Sequence, residues 1–287
     1  MTDRTELIPL GIDHLTLSGM PPTEFIDLAA EANLQSVSLW SELRDNPFGA
    51  AHWSLINDAA LRRSVRERIA ATGIDLALGE AWALQPDTDA SGCIPMVEAF
   101  ADLGCGAINM VSSEKDRSRE LEQAHEFAEI VTGAGMTVAW EYGSQCQADV
   151  LGVLDDIRQM RRAGLSVQLL IDPMHFTRRG HRAEELAGVE PELIGYFQIC
   201  DVPLVGTGKY MDEALHRRLP PGDGELPLHD IVRVMPEGMI YSMEIPQVAR
   251  VHAGESRLEL VIEAAEKCRR IIAAARHPQV ETSDVPA

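Results

Sequence analysis

Apolar residues fall along this chain in two alternating patterns. Short, mostly apolar runs rich in Val, Ile and Leu are separated by longer stretches whose apolar positions recur every three or four residues. The short runs predict buried strands, and the longer stretches predict amphipathic helices packed on them. Strands are expected over residues 10–17, 36–40, 74–78, 107–111, 136–142, 166–171, 196–200 and 239–245. Helices are expected over 21–32, up to Thr72 before Gly73, and over 95–103, 113–132, 149–163 and 257–275, with a short one starting at 183–187. Glycines just past several of these helices, such as Gly73 and Gly164, fit the left-handed stop of a helix.

Eight such alternations in one chain predict parallel strands joined by crossover helices. Eight repeats close into a single-domain α/β fold, a (β/α)8 TIM barrel over residues 1–276, with 277–287 as a flexible C-terminal tail. A doubly wound open sheet is the competitor. Its nucleotide-binding glycine pattern is missing from the first turn, LSGMPPTEF. At 45% the hydrophobic content suffices for one sizeable core, and no shift in composition marks a second domain.

In a barrel the chemistry sits where strands end at their C-terminal side. The third run, IDLALGEAW, ends in Glu80, and the fifth, MTVAWEYGS, ends in Glu141. The sixth, VQLLIDPMHF, ends in Asp172 with His175 three residues on. The seventh, YFQICD, carries Gln198 and Asp201, and the eighth, IYSMEIP, ends in Glu244. Carboxylates converging on one mouth repel each other unless a cation lies between them. Oxygen ligands alone suit one hard or borderline divalent ion, Mg2+ or Mn2+ first, Co2+ or Zn2+ next. An imidazole one turn from Asp172 can serve as a base or hydrogen-bond donor to substrate. The segment HRRLPPGDGELPLHD is read either as a structured connection or as a loop giving Arg217 or Arg218 a grip on an anionic or polyhydroxylated substrate. Lys209, Arg178 and Arg179 are expected at the surface, and the loop aromatics Phe48 and Trp53 at an interface or substrate lid.

Charge narrows the partners. With 25 Lys+Arg against 45 Asp+Glu the formal net charge is −20, which disfavours nucleic acid and anionic membrane surfaces. Five widely spaced cysteines without a CxxC argue against a disulfide framework or a zinc ribbon. No apolar run has the length of a signal peptide or a membrane span, so a cytoplasmic location is expected. HEFAE at His125 lacks the second histidine of a zinc-protease motif, and neither GxSxG nor a Walker A sequence occurs.

At these residues the chain resembles the xylose-isomerase-like TIM barrel superfamily, the sugar phosphate isomerases/epimerases. The likeness runs over nearly the whole length, through PPTEFIDLAAEANLQSVSLW, Glu141, DPMHF, YFQICD, and PGDGELPL followed by SMEIP. It implies one divalent metal held by Glu141, Asp172, Gln198 and Glu244, with Glu141 and Glu244 as the acid/base pair and His175 touching substrate. The epimerases usually carry His where Gln198 stands. The dehydroshikimate dehydratases of the superfamily resemble the chain there and in the PPGDGELP stretch. That likeness makes His175 the base and Arg218 the ligand of a substrate carboxylate; Glu80 completes the expected substrate-binding set. The expected function is a metal-dependent isomerase/epimerase that abstracts a proton beside the carbonyl of a small polyhydroxylated molecule. A lyase of the dehydroshikimate or inosose type ranks next, and a non-catalytic barrel subunit third. The apurinic endonucleases that share the barrel need many more histidines and a basic groove. Homo-oligomerisation is open.

Overall fold

In the computed structural model, residues 8–43, 46–47, 49–143, 146–206 and 208–276 are described. The strands are β1 (Gly11–Ile12), β2 (Ser36–Trp40), β3 (Asp75–Leu84), β4 (Ala107–Ser112), β5 (Thr137–Glu141), β6 (Val167–Ile171), β7 (Ile194–Ile199) and β8 (Ile240–Met243). Each pairs in parallel with the next, and β8 pairs with β1, so the barrel closes in sequence order. Around it run α1 (Pro22–Glu31), α2 (Ala59–Thr72), α3 (Ile94–Asp102), α4 (Arg117–Gly133), α5 (Val150–Arg162), α6 (Pro173–Arg178), α7 (Tyr210–His216), α8 (Leu228–Val234), α9 (Val248–His252) and α10 (Arg257–Arg276). The expected tail 277–287 and Phe48 lie outside the described residues.

Aspartate opens several of the helices. Asp58, Asp116, Asp149 and Asp172 each accept backbone N–H bonds from the first turn of α2, α4, α5 and α6. Such caps satisfy donors that have no partner inside the helix. Where β3 meets α3, a Cβ on Gly79 would lie 2.6 Å from the Phe100 ring, so glycine is what lets sheet and helix touch. All five cysteines are free and buried.

Three expectations change here. Residues 10–17 are not one strand. Only Gly11–Ile12 pairs, and His14–Leu17 form a 3-10 turn. An apolar run reads alike in a strand and in a buried helical turn. The break is made by Asp13, whose N–H bonds Met243 O at 2.9 Å while its carboxylate turns to Tyr196 and Ser242. The strand expected over 74–78 continues to Leu84, so Glu80 stands inside β3, paired with Trp40 at the end of β2. Trp53 is not an exposed lid residue. It is 8% exposed and stacks on the His14 ring at 5.5 Å.

Candidate active site

The mouth at the C-terminal strand ends is built by two local devices. The first is the DPMH turn. Asp172 Oδ1 accepts the N–H groups of Met174 (2.7 Å) and His175 (3.1 Å), which starts α6 and places the imidazole one turn on. His175 Nε2 then lies 3.4 Å from Glu141 Oε1 and 3.9 Å from Asp172 Oδ2, while Nδ1 bonds the Tyr210 hydroxyl.

The second device is the PPGDGEL loop. Asp201 and Leu219 exchange backbone bonds of 2.8 Å. The Asp201 carboxylate accepts N–H bonds from Val202, Gly222 and Leu226. Gly222 adopts φ +90°, and Gly224 passes so close that a Cβ would lie 2.3 Å from Asp201 Oδ1. The loop wrapped on Asp201 thereby delivers Arg218 into the barrel mouth. Arg218 Nε donates to Ala214 O at 2.7 Å, and Nη1 donates to Asp172 Oδ2 and Glu244 Oε2.

On the far side, Gln198 Nε2 donates to Glu244 Oε1 at 3.1 Å. Glu141 Oε2 accepts from Asn109 at 2.8 Å. Glu80 accepts from Ser38 and, at 3.1 Å, from Trp40 Nε1. Asp13 Oδ1 accepts from Tyr196 (2.6 Å) and Ser242 (2.7 Å). Two buried acceptors, Gln198 Oε1 and Asp13 Oδ2, have no hydrogen-bond partner.

Of the residues expected from sequence, Glu141, Asp172, His175, Gln198, Arg218 and Glu244 come together as one arc: Glu141, His175, Asp172, Arg218, Glu244, Gln198. Glu80 joins the same mouth from β3, held by Ser38 and Trp40 and near enough to Asp13 and Glu141 to feel both charges. Lys209 is at the surface, as expected. Arg178 is not. Its side chain, 13% exposed, pairs with Glu213 and caps the carbonyls of 203 and 204. Arg179 likewise turns inward, donating to the Tyr142 hydroxyl at 2.5 Å and to the carbonyls of 146 and 148. Sequence reasoning missed Asp13, Asn109 and Tyr210. An acid inside an apolar strand end (LGID) and an amide inside AINMVS were the available signals for the first two. Nothing in GTGKYMDE marks Tyr210.

Burial governs the charges. It pushes the Glu141 carboxyl up to about 7, with Asp172 adding to the effect. Glu80 rises to about 8 from burial and then from Asp13, and Asp13 itself is raised by burial. Burial lowers His175 to about 4, so its imidazole is neutral. Against the same desolvation, the Arg218 charge and the backbone N–H groups of Met174 and His175 hold Asp172 below the usual carboxylate range. Burial also opposes the Arg218 charge, but Asp172 and Glu244 outweigh it and keep the guanidinium protonated.

A shared divalent ion does not fit this arrangement. Asp172 offers Oδ1 to two N–H groups and Oδ2 to Arg218, and Glu244 offers Oε1 to Gln198 and Oε2 to Arg218. Among the described residues, no three His, Cys, Asp or Glu side chains are gathered so as to hold a metal.

A model of the family described as "Xylose isomerase-like TIM barrel" matches residues 26–271, so the chain belongs to that family. No curated protein matches the sequence. Among solved structures, an IolI protein with a bound zinc atom superposes with a TM-score of 0.75 at 17% identity, over 93% of this chain and 99% of that one. The probable 3-DHS dehydratase AsbF of petrobactin synthesis from Bacillus anthracis gives 0.68 at 11%, over 90% and 98%. A xylose isomerase-like TIM barrel/4-hydroxyphenylpyruvate dioxygenase fusion protein gives 0.69 at 17%, over 83% of this chain; the chain spans 39% of that protein's length. Epimerases are among the further chains of this fold. At such identities the likeness establishes the barrel alone. Among the described residues, no helix is long and apolar enough to cross a membrane.

Proposed function

We propose that the protein is an enzyme that removes a proton beside the carbonyl of a small polyhydroxylated molecule and works on one face of it, as a lyase or isomerase. The observation that carries this reading is the pairing of His175 with Glu141 at 3.4 Å while both oxygens of Glu244 are engaged. A two-base epimerase needs free acid/base groups on opposite faces of the carbon. Here Glu244 is tied to Gln198 and Arg218, and one pair remains.

His175 is neutral and so is the base. The tautomer that fits this role donates Nδ1–H to the Tyr210 hydroxyl and leaves Nε2 bare towards the site. Glu141, pushed up to about 7, carries its proton in about half of the molecules near neutrality and serves as the acid. The two side chains are 10% and 14% exposed, against 2% or less for Asp172 and Arg218, so a substrate meets this pair first. Abstraction by His175 and protonation of a departing β-hydroxyl by Glu141 is a dehydration. Return of the proton to the neighbouring carbon is an isomerisation. The orphaned acceptors Gln198 Oε1 and Asp13 Oδ2 suit substrate hydroxyls, because an unpaired buried acceptor gains most from a donor. Family membership and the likeness to a dehydratase fold support the same class of chemistry.

The test is a panel of sugars, inososes and dehydroshikimate-like acids incubated in D2O and followed by NMR. The expected result is deuterium at the carbon next to the carbonyl, with a dehydrated or isomerised product. Absence of exchange across the panel, or an epimer as the sole product, contradicts the reading.

A further inference from the structure

We propose that the Arg218 guanidinium is the resident cation of this barrel, standing in the position a divalent ion would need, so that the site is complete without a metal. The inference is independent of which reaction the site performs.

Placement is the first argument. Nη1 donates to Asp172 Oδ2, Glu244 Oε2 and, at 3.4 Å, to Glu244 O. It therefore joins the ends of β6 and β8, as an ion shared by their carboxylates would. The side chain is 2% exposed, and its partners are 0% and 7% exposed. A second cation placed on the same oxygens would face a buried, permanently protonated guanidinium.

Anchoring is the second. Arg218 does not dangle from a loop. Its neighbour Leu219 is bridged to Asp201 in both directions, and Asp201 grips the following turn through Gly222 and Leu226. Its Nε holds the last turn of α7 through Ala214 O. The PPGDGEL loop, Asp201 and α7 thus fix one guanidinium in one place.

Gln198 supplies the third argument. A metal-binding glutamine turns its oxygen to the ion. Here the amide gives Nε2 to Glu244 and also faces the Asp13 carboxyl, while Oε1 finds no donor. Gln198 therefore serves Glu244 as a donor, beside Arg218. Of the guanidinium nitrogens, Nε and Nη1 carry the bonds, and Nη2 is the donor left for a substrate oxygen on which negative charge develops.

The experiment reads metal binding and needs no substrate. Protein purified without chelating resin is stripped with EDTA, titrated with MnCl2 and ZnCl2 by calorimetry, and checked for metal content by plasma mass spectrometry. Wild type is expected to take up no stoichiometric ion. Arg218→Met, verified as folded by circular dichroism, is expected to gain one stoichiometric site, built on the freed carboxylates. Glu244→Gln and Asp172→Asn are expected to leave the wild-type titration unchanged, and they decide the matter if Arg218→Met does not fold. One tight equivalent in wild type that Glu244→Gln abolishes would overturn the proposal. So would a folded Arg218→Met that binds nothing.

Discussion

The two ends of this barrel are built from opposite materials. At the C-terminal ends of the strands, acids, amides, one imidazole and one guanidinium fill the mouth, and most of them are buried. At the N-terminal ends lies a cavity of about 800 Å3 lined by small or apolar residues such as Gly11, Ala77, Ala107, Ala139 and Gly195. Between them Tyr196 belongs to both: its ring lines the cavity and its hydroxyl donates to Asp13 in the site. This cavity and the candidate site are therefore at different ends. Small side chains at the bottom leave the space, and Asp75, Glu237 and Arg276 are the charged residues among its lining. At the top, every carboxylate is held by a donor, and the arrangement of donors decides what the site can do.

Substitutions at the two ends should differ accordingly. The largest effect is expected at the acid–base pair. His175→Asn should lower kcat by about 10²- to 10⁴-fold with the fold intact by circular dichroism, the usual contribution of a general base; an active variant removes His175 from the chemistry. Next comes Arg218→Met, which leaves two buried carboxylates without their partner. Breaking a buried ion pair costs about 3–5 kcal/mol, seen as a lower midpoint in urea, and Mn2+ should restore part of it. An unchanged midpoint would mean the guanidinium is not holding the site together.

The third effect depends on pH and comes from His14, on the wall of the upper mouth. Trp40 N–H donates to its Nδ1 at 3.1 Å, so the proton is on Nε2, which donates to Met20 O at 2.8 Å. The ring is stacked between Phe25 and Trp53, and burial lowers it from 6.5 to about 4. Between those values the unfolded chain binds a proton that the folded one refuses. The stability is thus fully present above pH 6.5 and falls as pH drops towards 4, by about 3 kcal/mol in total. Melting temperature against pH checks this, and His14→Gln should remove about half of the loss, because His175 is lowered over the same range. The smallest effect belongs to the bottom. Ala107→Val, pointing bulk at the cavity, should change stability by less than about 1 kcal/mol and leave turnover as it was. A large loss of turnover would tie the two ends together.

Much of this was legible in the sequence, and the illegible part has a common cause. The eight alternations of apolar run and amphipathic stretch led to the closed barrel. A polar residue at the end of an apolar run was enough to find Glu141, Asp172, Gln198 and Glu244, because in-register parallel strands must bring such ends to one mouth. Failure came where a residue's fate depends on a partner far along the chain. Trp53 read as a loop aromatic because its partner, His14, is remote in sequence. Arg178 read as surface because Glu213 lies 35 residues on. The position of Arg218 needed the Asp201–Leu219 bridge, which no local pattern announces.

The most direct test of the site as described is a crystal structure grown with MnCl2, with anomalous data collected at the manganese edge. The arrangement predicts guanidinium density between Asp172 and Glu244 and no anomalous peak among Glu141, Asp172, Gln198 and Glu244. A manganese peak on those residues, with Arg218 turned out of the mouth, would contradict it.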